Sequence, residues 1–167
     1  MKLFLIRRKN TFVGEYYKYN ILENEGVIYM SKEIKFDNYL SDNRITFLEK
    51  IKYENSEVVY RGNYKISGNN LIFIINIDDS AYTTIQCRLM TLNNSAKREK
   101  ILYLLNQLNC NTIAKKFILT DDDDIEFIVP FIATEDEFNP EVLMILISNI
   151  FKGLEEDYAK LMRVIWS

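Results

Sequence analysis

Four consecutive carboxylates, Asp121–Asp124, form the most conspicuous cluster of potential metal ligands in this 167-residue chain. A calcium loop wants oxygen ligands at positions 1, 3 and 5, a glycine at 6 and a glutamate at 12. Counted from Asp121, those last three places hold Ile125, Glu126 and Ile132, so the pattern fails. The run reads instead as a solvated hairpin turn, with an acidic contact to a basic partner as its functional alternative. Two further acidic triplets, Glu135–Glu137 and Glu155–Asp157, contain the residue type for general acid/base work. That work needs carboxylates held in a cleft with shifted pKa values, whereas adjacent acids on a helix or loop ordinarily form a solvated face.

Histidine is absent from the chain. Ser-His-Asp and Cys-His arrangements, the HExxH zinc motif and imidazole base catalysis are therefore excluded by composition. The two cysteines, Cys87 and Cys110, lie 23 positions apart without a CxxC spacing, which reads as free thiols in a reducing compartment. No glycine-rich phosphate loop is present. An enzyme is not expected, and neither is a cofactor.

Cations and aromatic rings interleave in Arg7, Arg8 and Lys9, in Tyr16, Tyr17, Lys18 and Tyr19, and in Arg61, Tyr64 and Lys65. A single-stranded nucleic-acid groove uses that combination, stacking bases on rings and neutralising phosphates. The plainer reading is an amphipathic sheet whose outer face carries Lys and Arg against edge pairing. Net charge is −3, and it is uneven: 13 basic and 11 acidic residues up to Leu92, then 8 basic and 13 acidic. An acidic second half argues against a general phosphate-backbone binder. The opening Met1–Asn10 places a short apolar run before its basic cluster, the reverse of a secretory signal, and apolar runs are too short for a membrane span. A soluble, cytoplasmic protein without membrane association is expected.

The elements that must position these residues are set by hydrophobic period, which is near two up to about Leu92 and near 3.6 for much of the remaining chain. Val58, Tyr60, Gly62, Tyr64 and Ile66 alternate with polar neighbours as in a strand with one buried face. Ser67-Gly68-Asn69-Asn70 then turns the chain into a strand over Leu71–Ile77, and a third runs from about Tyr82 to Thr91. Upstream, Phe12–Leu22, Gly26–Met30 and Arg44–Tyr53 are rich in β-branched and aromatic residues and read as strands. Ser31–Asp42 fits either a short helix or an irregular crossing.

Asn93-Asn94-Ser95 supplies N-cap residues ahead of a helix whose Ile101, Leu104, Leu105 and Leu108 share one face. A hairpin is expected over about Thr112–Thr120 and Ile125–Ala133, turning at Asp121–Asp124. Asn139 caps a final helix with Pro140 in its first position and Phe138 stapling onto Leu143. Its apolar face continues through Ile147, Ile150, Leu154, Leu161 and Ile165, with Gly153 as a potential kink. The predicted class is α+β: an antiparallel, β-rich first half, then helix, hairpin and a long C-terminal helix packed on the sheet. The expected organisation is a β-rich extension over residues 1–56 and a domain over 57–167, or one continuous domain.

With those elements in place, Leu102–Phe131, containing Leu104-Leu105-Asn106-Gln107-Leu108-Asn109 and Phe117-Ile118-Leu119 before an acidic turn, resembles the YbjN family. Phe138-Asn139-Pro140-Glu141 and the helix to Trp166 are similar to the end of that domain. The family in turn resembles bacterial type III secretion chaperones, a twisted antiparallel sheet with helices against it. The resemblance covers about residues 57–167 and implies a non-enzymatic, chaperone-like module that binds another protein: a chaperone, an adaptor or a toxin-immunity type inhibitor. It transfers no functional residues. The first 56 residues depart from it, offering strands where a helix should open the domain. Phe12–Tyr19 and Tyr60–Phe73 instead resemble a lipocalin meander, which implies the alternative of a cup for a small apolar ligand lined by Phe12, Tyr16, Phe47 and Tyr64.

In Leu71–Ile75 and Ile125–Ile132 odd and even positions alike are apolar. Helices can cover one face. The other requires the amino-terminal strands, a second copy of the chain as a homodimer, or a partner protein. The residues expected to meet that partner are Tyr60, Tyr64, Phe73 and Phe127 on the strands and Asp121, Asp122, Asp123 and Asp124 at the turn.

Overall fold

The computed structural model describes residues 30–53 and 58–166. Helix α1 (Lys32–Asp42) comes first, followed by strands β1 (Glu49–Lys52), β2 (Val58–Ile66), β3 (Asn69–Ile77) and β4 (Tyr82–Thr91). A single 3-10 turn, Ser95–Lys97, leads into α2 (Arg98–Cys110), then β5 (Lys116–Leu119), β6 (Asp124–Ile132) and α3 (Pro140–Trp166). The architecture is α+β, as its sequence predicts: one six-stranded antiparallel sheet in the order β1-β2-β3-β4-β6-β5. After β4 the chain crosses through α2 to the far edge, forms β5 there, and returns as β6 between β5 and β4. No described helix is long and apolar enough to cross a membrane.

Ser31–Asp42, which fits two conformations by sequence, is α1. The Ser31 hydroxyl accepts from the Ile34 N–H at the amino end, and Lys32, Phe36 and Leu40 are buried at helical spacing. With only two large apolar residues on that face, the period is weak in the sequence. The helix stops in a Schellman arrangement: Ile45 N–H donates to Leu40 O and Arg44 N–H to Ser41 O, with Arg44 at φ 54°. That termination occupies residues 43–45, so the strand expected over Arg44–Tyr53 begins only at Glu49. Among the described elements, a helix therefore precedes the first strand, and the expected strand over Arg44–Tyr53 is confined to its second half. β1 pairs with β2 across the boundary placed at residue 56. The strands expected over Phe12–Leu22 and at Gly26–Met30 lie outside the described residues, save for Met30.

The β2–β3 hairpin turns on two residues, Ser67 (φ 46°) and Gly68 (φ 82°), the left-handed pair that matches strand twist. β3 consequently starts at Asn69, two residues earlier than expected. α3 is one continuous helix through Gly153, with the Asn139 side chain accepting from Glu141 and Val142 N–H. Phe138 and Leu143 are both buried, as the staple requires.

The three described helices share one side of the sheet. The Phe36 ring of α1 meets Tyr60 edge-on at 4.7 Å, and Phe151 of α3 contacts Tyr64, Phe73 and Phe127 at centroid separations of 4.5, 4.8 and 5.9 Å. Ile101, Leu105 and Leu108 of α2 join the same core. Helices thus cover the face built from even positions of β2 and odd positions of β3, β4 and β6.

Candidate functional site: the helix-free face of the sheet

Strand alternation sends the remaining side chains to a face that no described helix overlies. Register arranges them in rows across the sheet. One row runs Asn63, Ile72, Arg88, Glu126 and Ile118; the next runs Arg61, Ile74, Gln86, Ile128 and Lys116. At the end nearest the β3–β4 turn, Tyr82 pairs with Ile132, and both are exposed. The face alternates isoleucines with charged and amide side chains: Arg61, Arg88, Lys116, Glu126, Asn63 and Gln86 stand between or beside Ile72, Ile74, Ile118 and Ile128.

Its polar groups hold one another in place. Gln86 Nε2 donates to Glu126 Oε2 at 2.5 Å. Arg88 Nη2 reaches Asp124 Oδ1 at 2.7 Å and Thr91 Oγ1 at 2.6 Å, while the Thr91 hydroxyl donates to Asp124 Oδ1 at 2.7 Å. A bulge between Arg88 and Met90 brings Thr91 and Asp124 into register. Arg98 of α2 pairs with Asp123, which adopts φ 61° in the β5–β6 turn. Two of the four carboxylates in the acidic run therefore serve as structural anchors, and Asp121 and Asp122 remain exposed.

Four of the expected partner-binding residues are on the opposite side. Tyr60, Phe73 and Phe127 are 0%, 3% and 0% exposed, and half-buried Tyr64 stacks on Phe151. They are core, because strand parity directs them beneath the helices. This also separates the cation–ring set on β2: Arg61 and Lys65 are exposed on the helix-free face while Tyr64 faces α3. A stacking platform with adjacent phosphate contacts is not built there. Of the cup-lining set, Phe12 and Tyr16 lie outside the described residues, Phe47 is exposed and Tyr64 is committed to α3. The six described strands form an open sheet whose edges are β1 and β5.

Other titratable clusters are tied into the scaffold. Lys50 bridges Glu33 at 2.7 Å and Asp37 at 2.5 Å, and the Tyr60 hydroxyl donates to Asp37 Oδ1 at 2.7 Å. Burial, reinforced by Asp37, keeps the Tyr60 phenol protonated far beyond its ordinary range. Partial burial lowers the Lys50 pKa, but hydrogen bonds and charges of Asp37 and Glu33 outweigh it and leave the net shift upward. Asp157 pairs with Lys115 at 2.6 Å; Glu156 pairs with Lys160 one helical turn on, whose hydrogen bond lowers its pKa; Glu137 accepts from Thr134. The acidic triplets are thus distributed over separate contacts rather than converging on a cleft. A groove of about 460 Å³ between α2 and the end of α3 is lined by Glu99, Lys100, Tyr103, Leu104, Gln107 and Val164, without a second acid to pair with Glu99.

The isoleucines of the helix-free face do not stand out in the sequence, because periodicity alone does not say which parity of a two-faced strand meets the helices. Register supplies that, and the one sequence signal for them is the double-sided apolar character of β3 and β6. No family model matches the chain, and no curated protein matches it either.

Proposed function

We propose that this protein is a non-enzymatic protein-binding module of the chaperone, adaptor or immunity-inhibitor kind, and that its partner docks on the helix-free face of β2, β3, β4 and β6. The observation that carries this reading is the one-sided placement of α1, α2 and α3. It leaves Ile72 and Ile74 of β3 and Ile128 of β6, with Arg88 and Gln86 of β4 between them and Arg61 beside Ile74, away from every described helix. Large apolar side chains grouped on such a surface, ringed by charge, mark a protein contact. The resemblance to the YbjN family supports the same class of activity. So do the missing histidine and the dispersal of the carboxylates into scaffold contacts. A reducing, cytoplasmic setting fits two cysteines left as free thiols.

The test is capture of a stoichiometric partner by the tagged full chain from native lysate, repeated with Arg61→Glu and Ile72→Glu on the face and with Tyr103→Ala on α2. Loss of the captured protein with the two face variants, and its retention with the α2 variant, supports the reading. Equal capture by all three, or no stoichiometric partner at all, overturns it.

A further inference from the structure

The geometry points to β5 as a strand-accepting edge that the Asn109 side chain holds shut, and to β5 of a second copy of this chain as the strand that pairs there when the amide lets go. The pairing needs no partner on the helix-free face, so it stands apart from the function proposed above.

An edge strand offers the N–H and C=O of every second residue to a newcomer. In β5 those of Phe117 point away from β6, and one side chain takes both: Asn109 Oδ1 accepts from Phe117 N–H at 2.7 Å, and Asn109 Nδ2 donates to Phe117 O at 2.9 Å. A side-chain amide carries the same donor and acceptor as a peptide group, so Asn109 fills the place of one residue of a further strand.

This clasp sits where opening is easiest. Asn109 belongs to the last turn of α2, and helix ends fray before helix interiors. The chain that follows buries little: Cys110, Asn111, Ile113 and Ala114 are exposed, Ile113 completely. Further polar contacts of this turn are long. Lys116 Nζ donates to Asn109 O and Thr112 O at 3.4 Å each, and Lys115 N–H to the Thr112 hydroxyl at 3.3 Å.

Register favours a second copy as the occupant. A two-fold axis at Phe117 makes that residue a hydrogen-bonded pair with its counterpart, which returns to each Phe117 the two bonds that Asn109 had supplied. It also sets Lys116 opposite Ile118 of the other copy, so no like charges meet. The edge at β1 lacks this fit. Centring β1 on Ile51 places Lys50 against Lys52, and centring it on Lys50 places that lysine against itself. Self-pairing is therefore directed to β5, where it would join two six-stranded sheets into one.

The experiment is sedimentation velocity on the full chain over a concentration series, the unaltered protein beside Asn109→Ala, with circular dichroism to establish that each is folded. Asn109→Ala should tighten self-association by at least about tenfold, because the hydrogen bonds that compete with pairing are gone. Adding Ile118→Lys, which sets two lysines opposite one another, should return the variant to the behaviour of the unaltered chain. In the Asn109→Ala, Cys110→Ser background, oxidising a mixture of Lys116→Cys and Ile118→Cys copies should give the mixed disulfide dimer in excess over either same-site dimer. A folded Asn109→Ala chain that self-associates no more than the unaltered protein overturns the inference. So does a dimer that survives Ile118→Lys or forms no excess of the mixed disulfide. If Asn109→Ala does not fold, Asn109→Asp takes its place, since it keeps the acceptor for Phe117 N–H and loses the donor. Failure of both variants to fold overturns the inference as well, because the amide is then part of the fold and not a releasable clasp.

Discussion

The Tyr60 hydroxyl donates to Asp37 Oδ1 at 2.7 Å from a ring that has no exposed surface, and it thereby ties the central body of β2 to α1. The same carboxylate receives Lys50 from β1 through its other oxygen, so one aspartate joins three elements. Replacing Tyr60 by Phe keeps the packing against Phe36 and deletes one hydrogen bond to a charged acceptor, which costs about 1.5 kcal/mol. Asp37→Leu is worse, because it leaves a buried phenol and Lys50 short of a partner. Urea denaturation of the two single variants and the double variant measures the coupling, which should be of the same sign and at least comparable to the Tyr60→Phe loss.

The same pair sets an alkaline limit. Tyr60 is held protonated in the folded state, whereas the unfolded phenol titrates near pH 10. Above that pH the unfolded chain binds fewer protons than the folded one, so stability is full below about pH 10 and falls as pH rises further. Lys50, also raised, acts in the same direction. Tyr60→Phe should flatten part of the decline between pH 10 and 11 in a stability-against-pH series. A decline of unchanged slope would remove Tyr60 as its source.

Gly62 illustrates what a strand position can demand of its neighbour. It stands opposite Phe73 in the β2–β3 ladder, and a Cβ built there would approach Phe73 Cζ at 2.4 Å and Leu48 Cδ2 at 2.9 Å. The Phe73 ring fills the space that a side chain would take and is itself held by Phe151. Gly62→Ala should therefore destabilise by about 1–3 kcal/mol, as overpacking does. Pairing it with Phe73→Leu should recover part of the loss, and a thermal melt of the two variants decides it.

Element type was legible wherever period and punctuation agreed. β2, β4, the β5–β6 hairpin and α3 follow from alternation, turn residues and the Asn139-Pro140 start, and they lie where expected to within a few residues. α1 was not legible, since its buried face includes Lys32 beside only two large apolar residues. The lysine looks solvated in the sequence, yet its ammonium reaches Ser80 O across a tertiary contact that no local pattern encodes. The candidate face was half legible for a related reason. Two-sided apolar strands announced that a second surface exists, but assigning Tyr60, Phe73 and Phe127 to it required knowing which parity the helices cover. That choice is made by Phe36 and Phe151, distant in sequence from all three.

Lys115 and Asp157 form an ion pair at 2.6 Å with side chains only 10% and 20% exposed, joining the approach to β5 to α3. Lys115 Nζ also lies 4.8 Å from the Phe117 ring centroid. Removing one partner strands the other in a largely dry site, so Lys115→Met or Asp157→Leu should each cost about 2–4 kcal/mol. The double variant should recover much of that, because two apolar side chains no longer leave a charge unpaired. Additive losses in guanidinium denaturation would show that the pair contributes through packing alone.

The two thiols differ in ways that a colorimetric reagent resolves. Cys87, inside β4, is 1% exposed, and burial, aided by the nearby Glu126 charge, pushes its pKa up to about 12. Cys110 lies exposed at the end of α2. Thiolate is the reactive form, so at pH 8 Cys87 is both inaccessible and protonated. The native protein should titrate with one equivalent of a disulfide reagent and the denatured protein with two, and Cys110→Ser should abolish the native reaction. Because Cys87 pairs with Phe73 and Phe127 at the centre of the sheet, its slow labelling rate under native conditions reports opening of the core itself. Gly62→Ala, which strains the same Phe73, should accelerate that rate, and an unchanged rate would mean that the two positions open independently.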